Sequence, residues 1–238
     1  MNEKTLPILP IPDVVFFPHT SLPLYVEDKM YVRMILEAVE QDSEIVLSLA
    51  RPNRTFIGTS NNPQLKGKEF KQYRPATIST AGKPIILDNF NNQALKVLVK
   101  GTSRVRLINP KQLLPYPVFD TIPFPDLLGA NGVQLDHAIQ KISNKLENWV
   151  NQNVRDSLER DSFFKDLTSV NHMIDYSAML MIRDTDIRQL ILECDNLLER
   201  IFLVAKLLEN KQPLREDLQL STALKKFEVF ESMAKMAM

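Results

Sequence analysis

Cysteine, tryptophan, histidine and glycine are all scarce in this 238-residue chain, with one, one, three and six copies, and each scarcity closes off a class of chemistry. A lone Cys194 cannot form an intramolecular disulfide, and without a CxxC pair there is no thiolate metal or redox site. Its apolar helical surroundings (Ile191, Leu192, Leu197, Leu198) read it as a small buried hydrophobe. The glycines, at 58, 67, 82, 101, 129 and 132, nowhere form the GxxxxGK[ST] loop whose backbone amides wrap phosphates. Gly67-Lys68 and Gly82-Lys83 lack both the spacing and the hydroxyl, so ATP hydrolysis is not expected. A glycine-flanked serine of the Ser-Lys peptidase kind is also missing. His19, His137 and His172 are far apart and form no HExxH, so neither metal nor cofactor is expected. The acid pairs Glu27-Asp28 and Asp184-Asp186 point apart on a strand or helix start, and Asp184 and Asp186 read as helix caps.

Charge of one sign is lacking too: 29 basic residues balance 29 acidic ones, which gives non-specific nucleic-acid binding no support. The first 120 residues carry an excess of four positive charges and the rest an equal negative excess. No apolar run approaches the roughly 20 residues of a membrane span. The opening MNEKTLPILPIP, broken by Pro7, Pro10 and Pro12, is a poor signal peptide, so a cytoplasmic setting is expected.

Proline, by contrast, is plentiful and unevenly spread. Most of the 15 prolines fall before residue 126, separating short apolar runs at 6–9, 14–17 and 22–26 that read as strands. Further strands are expected at 44–50, 76–80, 84–88, 95–100 and 105–108. A helix over 29–41, with Val32, Ile35, Leu36 and Val39 on one face, interrupts them. At least six strands and one helix suggest a closed or nearly closed barrel. Residues 51–74 read as a long surface loop, and 113–132 as a last extended segment and linker.

From residue 133 helical periodicity takes over. Leu135, Ile139, Ile142, Leu146, Trp149 and Val150 share one helix face. An apolar, Met-bearing stretch covers 163–182, and a helix pair at 185–193 and 196–209 has Asp184 and Asp195 as expected caps. The fold class is therefore α+β: a β-barrel lobe (1–120) with one inserted helix, a linker (121–132), a helical bundle (133–211) and an amphipathic tail (212–238). In that tail Leu224, Phe227, Phe230, Met233 and Met236 form a stripe suited to packing on the body or to meeting a partner.

Three segments carry a family resemblance. LPILPIPDVVFFPHTSLPLYV (6–26) resembles the opening of Lon protease amino-terminal domains, an LPxLPL strand leading to a VVxFP turn and a PL strand. ALKVLVKGTSRVRLI (94–108) resembles that family's VLVxGxxRxRI strand pair, with Gly101 at the turn. ILECDNLLERIFLVAKLLE (191–209) resembles its closing helices. Where the family usually opens a strand with Gly-Thr or Gly-Cys, this chain has Pro75-Ala76-Thr77. The resemblance implies a pseudouridine-synthase-and-archaeosine-transglycosylase-like (PUA-like) barrel followed by a helical bundle. It also implies a substrate-engaging role, here free-standing, without the ATPase and Ser-Lys peptidase modules, and thus non-enzymatic.

Binding is then the function to locate. Unfolded segments demand adaptable apolar surface, for which Phe16, Phe17, Tyr25, Met173, Met179 and Met181 are the candidates. Alternation predicts one of Phe16 and Phe17 buried and the other available. The crevice between barrel and bundle is the expected groove, with unfolded or partly folded proteins as partners. A different class of ligand, RNA, is suggested by Arg51, Arg54, Lys66, Lys68, Lys71, Tyr73 and Arg74, where cations flank an aromatic. A third reading is an adaptor that meets a protease or itself through the tail.

Overall fold

The computed structural model describes residues 3–52, 73–127 and 133–209. Seven strands, β1 (Lys4–Ile11), β2 (Ser21–Val26), β3 (Ile45–Pro52), β4 (Tyr73–Pro75), β5 (Ile78–Phe90), β6 (Ala94–Gln112) and β7 (Val118–Pro123), form one mixed sheet. Six helices accompany it: α1 (Lys29–Glu40), α2 (Val133–Asn153), α3 (Ser157–Asp166), α4 (Val170–Met181), α5 (Thr185–Glu193) and α6 (Leu197–Glu209).

The strand order β1-β7-β6-β5-β3 closes on itself because β1 also pairs β3, in parallel, across the α1 crossover. Each strand of this ring sends inward the residues its alternation allows. Leu6, Ile8, Val46, Ala81, Val105 and Leu107, with Phe119 packed against them, form a small core of their own. A larger core joins the sheet to the helices, combining Leu22, Val97 and Val99 with Ile35 of α1, Ile142 of α2, Ile174 of α4 and Val204 of α6.

Helix α1 begins where Asp28 accepts a hydrogen bond from the Met30 amide at 2.8 Å, satisfying one orphan donor of the first turn. It buries Val32, Met34, Ile35 and Ala38. Asp184 caps α5 in the same way, through Ile187 at 2.9 Å. At α6, however, the side chain of Asn196, not of Asp195, accepts from Leu198 and Glu199. The stretch 163–182 is divided between α3 and α4, with Ser169 capping the second.

Three strand expectations are corrected. Residues 14–17 are not a strand but an irregular, buried segment. Its carbonyls are met by threonine hydroxyls, Thr80 Oγ1 donating to Phe16 at 2.6 Å and Thr20 Oγ1 to Phe17 at 2.7 Å, which replaces the ladder that a strand would need. Gly101 is not at a turn, since β6 runs through it. A Cβ there would lie 2.5 Å from the Phe17 carbonyl oxygen, so the glycine is demanded by close backbone approach. Residues 76–80 and 84–88 are not two strands, because β5 continues past Gly82 and absorbs the irregularity as register shifts at Ala81/Gly82 and Ile86/Asp88. Asn91 and Asn92, both with positive φ, make the turn into β6.

Candidate functional site

Where the sheet meets the helices, charge is buried. Arg104 of β6 reaches Asp126 at 2.5 Å, and Arg200 of α6 reaches the same carboxylate at 3.0 Å. Asn171 of α4 donates to its other oxygen at 2.9 Å. Arg104 Nη1 donates to the carbonyls of Leu192 and Cys194 at 2.9 and 2.6 Å, and the guanidinium stacks 4.9 Å over Phe124. Burial, together with the Arg200 charge, lowers the Arg104 pKa, and Asp126 works against that shift.

Beside this network, His19 Nδ1 lies 2.8 Å from Asp175 Oδ2. His19 has φ 60°, held there by its own amide donating to the Gly101 carbonyl at 3.0 Å. The His172 ring packs 4.2 Å from that of His19. Burial raises the Asp175 pKa, and the His19 hydrogen bond opposes it. Asp175 Oδ1 and Arg200 Nε are buried with no hydrogen-bond partner among the described residues. Beside these groups lies a pocket of about 230 Å³, walled by Pro18, Pro123, Phe124 and Pro125. That is below the range of about 300–1,000 Å³ for small-molecule pockets. The segment read as a linker is part of this construction, since β7 ends at Pro123 and Leu127 bridges Asn196.

Exposed apolar side chains occur at several places, Leu113, Leu114, Leu158 and Leu190 among them, and several gather on the outer face of β2, β6 and β5. The register sets Pro23, Leu98 and Ile85 side by side across the three strands, with Tyr25, Lys96 and Asp88 in the next row. Leu22, Val97 and Val99, between these positions, face the core. Outward, Ile85 is 39% exposed, Leu87 49% and Phe90 37%. Tyr25 packs edge-on to Phe90 with ring centres 6.1 Å apart. At about 4.8 Å between strands and 3.3 Å per residue, the face measures about 10 by 20 Å, the span of about six extended residues.

Of the residues expected to bind polypeptide, Tyr25 stands on this face. Phe16 and Phe17 are both buried, contrary to the expectation of one available ring; the segment is not a strand, so alternation does not govern it. Met179 is buried, Met173 is half-buried against the core, and Met181 is half-buried. Met173 also lines a hollow of about 260 Å³ with Leu146 and Phe164.

Among the RNA candidates, Arg51 and Arg74 sit opposite each other in the β3–β4 pair, next to Pro52 and Tyr73, so both ends of the expected loop are strand. Arg51 pairs with Asp186 at 3.3 Å. Arg54, Lys66, Lys68 and Lys71 lie outside the described residues, as does the 212–238 tail.

Cys194 is half-buried, and burial raises its pKa. His137 is exposed. Among the described residues no group of three or more His, Cys, Asp or Glu side chains is placed to hold a metal, and no helix is long and apolar enough to cross a membrane.

Sequence reasoning missed the arginine–aspartate network. One signal was present: Arg200 shares its helix face with Leu197 and Val204, and a cation on an apolar stripe is either paired or costly.

The family model described as the ATP-dependent protease La (LON) substrate-binding domain matches residues 5–210. The Lon protease of Azorhizobium caulinodans is 24% identical over 208 residues, covering 87% of this chain and 23% of the relative. That of Koribacter versatilis is 31% identical over 127 residues, covering 51% and 14%. The chain thus spans about a quarter or less of the curated relatives that it matches. Among solved structures, the N-terminal domain of the Mycobacterium avium complex Lon protease superposes with a TM-score of 0.62 at 12% identity, covering 87% of this chain and all of that one. A Lon N-terminal domain protein from Xanthomonas campestris gives 0.52 at 16% identity, covering 87% and 98%.

Proposed function

We propose, from the premise that this chain belongs to the ATP-dependent protease La (LON) substrate-binding domain family, that it is a non-catalytic module binding apolar segments of unfolded polypeptide with low sequence specificity. The closed strand ring supports the PUA-like reading of its sheet lobe. The observation that carries the function is the open apolar face of β2, β6 and β5, where Ile85, Leu87 and Phe90 are presented to solvent around Leu98 and Pro23. Such a face suits many sequences because apolar contact is non-directional. Its size, far below the roughly 800 Å² per partner of a stable interface, makes binding weak and reversible, as serial engagement of substrates requires. Pro23 lacks an N–H for edge pairing, which favours docking on the face over addition of a strand to β2.

Ile85 and Leu87 are each near half exposed, so each has about 1 kcal/mol of burial left to gain. The double variant Ile85→Ser, Leu87→Ser is therefore expected to weaken binding of a fluorescently labelled denatured protein by about thirty-fold, with an unchanged circular dichroism spectrum. Absence of saturable binding by the unmodified chain to any of a panel of denatured proteins and apolar peptides would remove the function. Undiminished binding by the double variant would remove its assignment to this face.

A further inference from the structure

One end of the apolar face carries a cation with no side-chain partner among the described residues. Register places Lys83 directly opposite Lys100, with Ser21 on the far side of Lys100, two residues along the strands from the Pro23–Leu98–Ile85 row. Like charges directly opposite on a sheet repel, so the arrangement works against the fold unless the charges are answered. Lys83 is answered by Asp42 at 3.0 Å. Lys4, near the same end, is answered by Glu44 at 2.9 Å, which also takes the Thr102 hydroxyl at 2.6 Å. Lys100 is exposed, and its ammonium has no hydrogen bond or ion pair among the described residues. At the other end of the face the row is Tyr25, Lys96 and Asp88; Lys96 is buried, and Asp88 accepts from the Asn89 amide. One end of the face thus carries an exposed ammonium, whereas the row at the other end sets the Lys96 cation beside the Asp88 carboxylate.

We infer that Lys100 makes this face selective, so that it takes extended apolar segments carrying a carboxylate, an Asp or Glu side chain or a chain terminus, at one end. The inference rests on the apolar-face reading above and names the substrate class that face favours. Two residues of strand separate Lys100 from Leu98, about 7 Å. A substrate whose apolar side chains cover Leu98 and Ile85 thus brings a residue one or two positions further along within reach of the ammonium. Charge complementarity at an exposed rim sets preference more than affinity.

The test uses three labelled peptides of alternating leucine and serine, ending in a pair of aspartates, serines or lysines, measured by fluorescence anisotropy against the whole chain. At low salt the aspartate peptide is expected to bind about three-fold tighter than the serine peptide and the lysine peptide about three-fold weaker, the range of an exposed ion pair. The differences should shrink at high salt. Lys100→Met, which keeps the aliphatic stem, should flatten the order, and Lys100→Glu should reverse it, with Lys83 then facing an opposite charge across the strands. Equal affinities for the three peptides, or an unchanged order in Lys100→Glu, would overturn the selectivity while leaving the apolar face in place. Failure of the serine peptide to bind at all would overturn the apolar face, and the selectivity with it.

Discussion

Replacing Asp126 by alanine should separate the sheet from the helices energetically. The Asp126 carboxylate sits between Arg104 and Arg200, whose side chains are 4% and 3% exposed, while its own is 16% exposed, and it accepts from Asn171 as well. The variant leaves two buried guanidiniums without their counter-ion. Loss of one partner from a buried pair costs about 3–5 kcal/mol, and the remaining solvent contact of Asp126 sets the expectation near 3 kcal/mol. The assay is urea unfolding followed by Trp149 fluorescence, which reports on α2, and by far-ultraviolet circular dichroism, which reports on the whole chain. The two transitions should coincide in the unmodified protein and part in the variant, with fluorescence moving first. Adding Arg200→Met to Asp126→Ala should restore part of the loss, because a methionine needs no counter-ion. A cost below about 1 kcal/mol with coincident transitions would show that water already screens these charges and that the junction is held by apolar packing alone.

Two further expectations follow from single side chains. Burial raises the Asp175 carboxyl above its ordinary value of 3.8, so between that value and the raised one the folded chain holds a proton that the unfolded chain has lost. Stability from this group is therefore lost as pH rises through that window. Asp175→Asn, which still accepts from His19, should gain on the unmodified protein at neutral pH and lose that advantage below the ordinary value; denaturant midpoints across pH measure this, and a relative gain confined to acid would refute it. At the start of α6, Asn196→Ala should cost about 1 kcal/mol, as a lost cap does, and Asp195→Ala should cost only a few tenths. Equal midpoint shifts in thermal unfolding would contradict the assignment of Asn196 as the cap.

The segments that read correctly in the sequence are those whose pattern is local. Helix α1 was legible from its apolar spacing and α5 from Asp184, because a cap and a stripe act within one or two turns. The resemblance at 6–26 and 94–108 located the family for the same reason, being short runs with fixed spacing. Gly101 and Phe16–Phe17 were misread together. A glycine after VLVK looks like a turn, and only the carbonyl of Phe17, brought from 84 residues away, explains why the strand continues through it.

The candidate site divides in the same way. Tyr25 could be nominated from sequence as an aromatic in a short apolar strand, but the face around it depends on register. Pro23, Leu98 and Ile85 are neighbours only because β2 and β5 both pair with β6, and pairing between distant segments is set by burial of the opposite face rather than by local preference. Of the Arg104–Asp126–Arg200 network only Arg200, a cation on an apolar helix face, leaves a local trace, and the His19–Asp175 contact leaves none.

Composition and periodicity alone determined an α+β chain of neutral charge, without a phosphate loop, a serine elbow or a cysteine pair, and with strands before helices. These follow from residue types and short-range spacing. Tertiary structure decided which apolar side chains remain outside, that charge is buried where the sheet meets the helices, and that the Lys100 side chain has no partner among the described residues. Such facts are differences between surface left in water and surface taken out of it, and they exist only once distant segments have packed.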